Sequence, residues 1–179
     1  MAVVPTDDIV VLLEQDHAAI QERLIELENA DSNDRAMLFR ELTTELSRHE
    51  VAEEMVVYPV IRTEPGGDVI ADARRAEESE AEVLLAHMEK LDPTTEEFMG
   101  AVRDLRSAVM DHAAREETYV FPLLLAHGED AYLALLGQKF RGEKLGAPTH
   151  PHPRLPNSAF GNRVFGPVAS FIDRQRDSA

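Results

Sequence analysis

No cysteine occurs anywhere in the 179 residues. Disulfides, thiolate zinc sites, iron–sulfur clusters and cysteine nucleophiles are therefore excluded. Also missing is any run approaching the roughly 18 apolar residues of a membrane span. The opening stretch MAVVPTDDIVVLLEQDHAAI has no basic flank before its apolar run and carries Asp7, Asp8 and Glu14, unlike a signal peptide. A cytoplasmic chain without a membrane partner is the expectation. Positive charge is scarce: 18 Lys and Arg stand against 34 Asp and Glu, a formal net charge of −16. Such a field repels phosphate backbones, so no nucleic-acid partner is expected. No phosphate-cradling glycine motif and no serine nucleophile elbow occurs, which leaves those chemistries without support.

What is present is apolar residue at helical spacing. Hydrophobic residues make up 44% of the chain, enough for a substantial core. Ile9, Leu12, Leu13, Ile20, Leu24 and Leu27 keep to one face of a helix expected over 6–29. A second helix is expected over 34–61, carrying Leu38, Leu42, Leu46 and Val56, and TEPGG ends it. Asp68 is a candidate cap for a third helix reaching Lys90. Asp92-Pro93 marks the start of a fourth that runs through Phe98, Val102, Leu105 and Val109 toward Leu125. Short connections make these neighbours antiparallel. The expected fold is all-α, an up-down-up-down four-helix bundle over 1–128, with an additional short C-terminal helix over 129–145 and a Pro/Gly-rich tail over 146–179. That tail, GAPTHPHPRLPNSAFGNRVFGPV, is too rich in proline for a regular helix.

The string HEVAEEMVVYP at 49–59 returns as HAAREETYVFP at 112–122. Both read His-x-x-x-Glu-Glu-x-x-x-aromatic-Pro. Positions four apart share a helix face, so His49 sits with Glu53 and His112 with Glu116. These pairs interrupt apolar stripes that should point into the bundle. His17 interrupts the stripe of the first helix, and His87 stands late in the third. Each expected helix thus contributes one unit: His17, then His49 with Glu53, then His87, then His112 with Glu116. Burying these groups unpartnered would be unfavourable by several kcal/mol or more. Internal His–Glu hydrogen bonds are one resolution, and a metal centre is the other. Six nitrogen and oxygen donors from four converging walls exceed what one tetrahedral zinc needs. They suit two first-row ions bridged by Glu53 and Glu116, with oxide, hydroxide or water completing the coordination. Iron is the preferred metal, with manganese or zinc as substitutes.

Several neighbours are secondary candidates. Glu50 or Glu117 can accept an imidazole N–H and orient a ligand. Glu80, two turns before His87, is a candidate extra ligand or gate, and Tyr119 a candidate phenol near the site. Tyr58 and Phe121, each ahead of a proline, are expected to pack helix ends. His127 is expected at a helix end or on the surface, and His150 and His152 in THPHP in a surface tail.

The ordered set His17, HEVAE, His87, HAARE resembles the hemerythrin-like, or HHE cation-binding, family over about 6–126. The Pro-rich tail resembles that of bacterial, actinobacterial-type members. The resemblance implies a four-helix bundle around a nonhaem diiron site, with His17, His49, His87 and His112 as nitrogen ligands and Glu53 and Glu116 as bridges. It also implies a protein that binds or reduces small oxygen species, namely O2 or peroxide, with catalase-like activity within its range. The alternatives are an O2, redox, iron or nitric-oxide sensor, an iron-handling protein without turnover, or a structural bundle with satisfied core histidines. Oxygen-carrying members have a further histidine where this chain has Val83, a departure that points away from a simple carrier.

Overall fold

The structure, a computed structural model, describes residues 7–147. Among these residues it is all helix, with no strand. α1 (Ile9–Asn29) opens where the Asp8 side chain accepts the Val10 N–H at 2.8 Å. α2 (Arg35–Ala52) runs into a π-helical turn (Glu53–Val57) and then the short α3 (Tyr58–Ile61). Pro59 is the physical reason for this break in the long second helix. It has no N–H to donate, and its ring crowds the carbonyl of Met55 four residues back. The wider turn relieves the crowding: the Tyr58 N–H reaches five residues back to the Glu53 carbonyl.

α4 (Gly67–Met88) starts at a glycine pair rather than at an Asp68 cap. Gly66 has φ +78°, and a Cβ on Gly67 would lie 1.8 Å from the Ile61 carbonyl oxygen, so the turn demands both glycines. α5 (Glu96–Tyr119) starts later than Asp92-Pro93 suggested. Asp92 instead accepts the Thr94 N–H at 2.9 Å in a turn, and Thr95 caps the helix by accepting from Phe98. α5 stops short of Leu125, and α6 (Phe121–His127) follows across Val120, with Pro122 in its first turn. α7 (Asp130–Gly146) then packs along α1, α2 and the π-helical turn.

α1, α2, α4 and α5 form the bundle. Arg23–Glu41 and His49 beside His17 step in opposite directions along α1 and α2, and Arg106–Glu28 does the same for α5 against α1. Two apolar cores fill it. One holds Ile9, Leu13, Val57, Ile61, Phe121, Leu124, Leu136 and Phe140; the other holds Ile20, Leu24, Leu42, Leu46, Leu85, Phe98, Val102 and Leu105. Between them, at the level of His17, His49 and His112, every bundle helix turns a polar side chain inward. That polar layer is the site.

Candidate metal centre

His17 comes from α1, His49 from the end of α2, Glu53 from the π-helical turn, Glu78 from α4, and His112 and Glu116 from α5. Their donor atoms form two clusters able to hold metal ions: His17, His49, Glu53 and Glu116, and Glu53, Glu78 and His112. Within each, the atoms lie no more than 4.8 Å apart. Glu53 belongs to both. Glu116 also spans the pair, with its Oε2 3.3 Å from His17 Nε2 and 3.5 Å from His112 Nε2. Glu53 Oε2 lies 3.3 Å from His49 Nε2.

A hydrogen-bonded core would satisfy these atoms, and this one does not. Nε2 of His17 and of His112, both oxygens of Glu53, Oε2 of Glu78 and Oε2 of Glu116 are buried without a hydrogen-bond partner. Buried polar atoms are ordinarily paired, and each orphan carries a desolvation penalty of about 1–3 kcal/mol or more. Six orphans facing one another fit a pair of cations, which accept all six lone-pair donors at once.

The outward edges of the rings are satisfied. His17 Nδ1 lies 3.2 Å from Glu117, His49 Nδ1 3.2 Å from Asp16, and His112 Nδ1 3.0 Å from Glu77. A carboxylate only accepts, so each Nδ1 carries a proton, and Nε2 is the ring atom turned into the layer. Tyr58 completes the layer: its O–H lies against Glu78 Oε1 and 2.9 Å from Glu116 Oε1. Phe121 stacks on His17, ring centroids 5.8 Å apart and planes 12° apart.

The electrostatics are uneven. Burial raises Glu116, but the surrounding rings of His112, His17 and His49 outweigh it and hold the carboxyl down at about 2. Burial pushes Glu53 well above the ordinary carboxyl range, helped by the charges of Glu116 and Glu78. Glu78 is pushed up in the same way, by burial and by Glu50 and Glu54. Burial also raises the Tyr58 phenol, with Glu116 and Glu78 adding to it. His17 is raised because Glu116 and Glu117 overcome the effect of its burial, whereas burial dominates His49 and lowers it. Without cations, burial and the neighbouring carboxylates therefore favour the protonated form of Glu53 and of Glu78.

Five of the six sequence candidates meet in this layer: His17, His49, Glu53, His112 and Glu116. His87 does not. The buried stripe of α4 is Ala71, Arg74, Glu78, Ala81, Leu85 and Met88, and His87, two residues past Leu85, faces solvent. Glu78 takes the inward place on α4, and its spacing of three to Ala81 and seven to Leu85 is the signal that marks it. Glu80 and Tyr119 are exposed. Glu117 does accept from an imidazole. Glu50 does not; it is buried near Glu54, Glu78 and Glu82 and lines the cavity beside the site. Tyr58 and Phe121, expected at helix ends, lie against the polar layer. Asp16 and Glu77 have no counterpart among the sequence candidates, since an acid beside a solvated face gives no periodic signal. His127 pairs with Glu64 away from the layer, and His150 and His152 lie outside the described residues.

A cavity of about 260 Å³ adjoins the layer, lined by His17, His49, Glu78 and His112 together with Ile20, Leu46, Ala81 and Val109. Among the described residues, no helix is long and apolar enough to cross a membrane.

A helical bundle with two His/Glu clusters that share Glu53 is capable of coordinating cations. The chain belongs to the hemerythrin HHE cation binding domain family, whose model matches residues 8–124. An uncharacterized hemerythrin-like protein of Schizosaccharomyces pombe is 29% identical over 166 residues, 91% of this chain and 82% of that protein. A protein of a Nostoc species named as a DNA nickase is 31% identical over 112 residues, 62% of this chain and only 31% of its own length. No solved structure matches.

Proposed function

We propose that the polar layer holds two iron ions and that the chain binds or reduces small oxygen species, peroxide and O2 foremost, with peroxide disproportionation within its range. The observation that carries this reading is the set of six buried, unpartnered donor atoms facing one another. Internally satisfied His–Glu pairs, the competing explanation, leave those atoms unaccounted for. Mixed imidazole and carboxylate donors suit iron, and manganese or zinc fit the same donors less distinctively.

Bound iron would supply reversible one-electron changes at two adjacent ions and positions for a small oxygen ligand. The chain's own residues divide the remaining work. Nε2 of His17 and His49 would hold one ion and Nε2 of His112 with Glu78 the other, while Glu53 and Glu116 span both. Asp16, Glu117 and Glu77 fix the three rings through Nδ1. Tyr58 keeps a proton at the edge shared by Glu78 and Glu116. The apolar lining residues Ile20, Leu46, Ala81 and Val109 would limit water around the reacting molecule.

The actinobacterial likeness rests on the tail sequence alone. The name of the Nostoc relative does not transfer, because the shared stretch is under a third of that protein and a chain of net charge −16 repels DNA. The test is oxygen evolution from peroxide by the iron-loaded chain and by His49→Ala. Multiple turnovers abolished by the substitution support the enzyme; stable O2 binding without turnover selects a carrier or sensor.

A further inference from the structure

α7 lies beyond residues 8–124, the part that matches the family, yet it reaches the polar layer. Its docking is tight: a Cβ on Gly137 would lie 1.8 Å from the Asp7 carbonyl oxygen, and Arg141 pairs with Asp7. Phe140, fully buried, sets its ring edge-on to His49 with centroids 6.0 Å apart and planes at 84°. One turn further, Lys144 Nζ lies 2.6 Å from Asp16 Oδ2, the same oxygen that faces His49 Nδ1 at 3.2 Å. The other two ring-holding acids are differently placed. Glu77 is gripped from within the bundle by Arg74 and Arg115, and Glu117 is half exposed. Among the three, Asp16 alone takes its cation from α7.

We infer that α7 is a working part of the metal centre, with Lys144 a positioning residue that acts through Asp16 to hold His49 on one of the two ions. The chain of contacts is linear: ammonium to carboxylate, carboxylate to Nδ1–H, Nε2 to the ion. A carboxylate anchored by a cation cannot swing away from Nδ1, so the ring keeps its tautomer and its aim. Lys144 also lies 3.7 Å from Glu45 and 5.9 Å from the Phe140 ring centroid, contacts that hold its own chain in place. The inference rests on the two-ion reading above.

Cobalt(II) titration of the metal-free full-length chain, followed by its visible absorption, tests it. Lys144→Met should weaken one of the two sites by about 10- to 100-fold and leave the other unchanged. Lys144→Arg should lose less than Lys144→Met, since it keeps a charged N–H donor for Asp16. On an Asp16→Ala background, Lys144→Met should add less than about twofold, because the contact it acts through is already gone. Wild-type affinity at both sites in Lys144→Met overturns the inference. So does equal loss in the Arg variant, or full additivity with Asp16→Ala, which would mean that Lys144 merely docks α7. Lys144→Gln serves if the Met variant does not fold by circular dichroism. A wild-type chain that takes up no pair of cobalt ions overturns both this inference and the two-ion reading. A wild type that fills both sites, matched by Lys144→Met, overturns this one alone.

Discussion

Tyr58 and Phe121 occupy matching places in the two repeats, each five residues after a glutamate of the polar layer and one before a proline. Both end against that layer by different routes. The π-helical turn stacks Tyr58 above Glu53 and sends its hydroxyl to Glu78 and Glu116. Phe121, past the end of α5, lays its ring on His17. The repeated aromatic-Pro thus belongs to the site. In each copy the proline interrupts the helix where the aromatic must turn inward.

Replacing Tyr58 by Phe removes the hydroxyl that lies against the buried carboxylates of Glu78 and Glu116 while keeping the ring's bulk. The metal-free fold should lose about 1–3 kcal/mol, the usual consequence of unsatisfying a buried acceptor. Urea unfolding measures it. A variant as stable as the parent would show that the hydroxyl contributes nothing to the layer.

Glu78 and His87 make opposite predictions on the same helix. Glu78→Ala should reduce bound metal from two ions toward one per chain, whereas His87→Ala should keep both. Metal analysis after anaerobic Fe(II) loading and desalting separates them. Loss of metal in His87→Ala with retention in Glu78→Ala would reverse the assignment of α4.

This contrast shows what was legible in the sequence. The bundle, the helix order and five inward donors follow from apolar periodicity and from a repeat that places His and Glu four apart. α4 carries no such repeat. Its inward stripe is set by Ala71, Ala81 and Leu85, and two of these three are alanines that mark a buried face only weakly. The π-helical turn was invisible because periodicity assumes a constant turn, and the expected helix over 34–61 ran through Pro59 as one element. Asp16 and Lys144 are far apart in sequence, and only the docking of α7 makes them neighbours.

The metal-free chain should have an unusual pH dependence. Glu53 and Glu78 have folded pKa values raised above the unfolded ones by burial, so each stabilises the fold below about 4.5 and loses that contribution as pH rises through the raised value. Glu82, raised to about 7 by burial and by Glu54, acts in the same direction. Glu116, held at about 2, runs the other way: it stabilises above about 4.5 and fails as pH falls through about 2. His17, also raised, acts with these carboxyls and His49, lowered, acts against them, so the Tm of the metal-free protein should fall as pH rises through about 7, and loading with metal should reduce the fall by neutralising the ionised carboxylates of the layer. Calorimetry with and without metal checks it; a metal-free Tm that rises with pH through about 7 contradicts the upward shift of Glu53, Glu78 and Glu82.

Metal uptake should also release protons. Burial favours the protonated form of Glu53 and Glu78, and cations displace those protons, so calorimetric titrations in buffers of different ionisation enthalpy should report net proton release on metal binding. No buffer dependence would mean that the donors were already ionised.

Anomalous diffraction at the iron edge from crystals of the aerobically purified, iron-loaded chain bears on the central claim most directly. Two peaks are expected, both touching Glu53 and Glu116, one beside His17 and His49 and the other beside Glu78 and His112. Peaks elsewhere, or none between these side chains after anaerobic Fe(II) loading, would contradict the account.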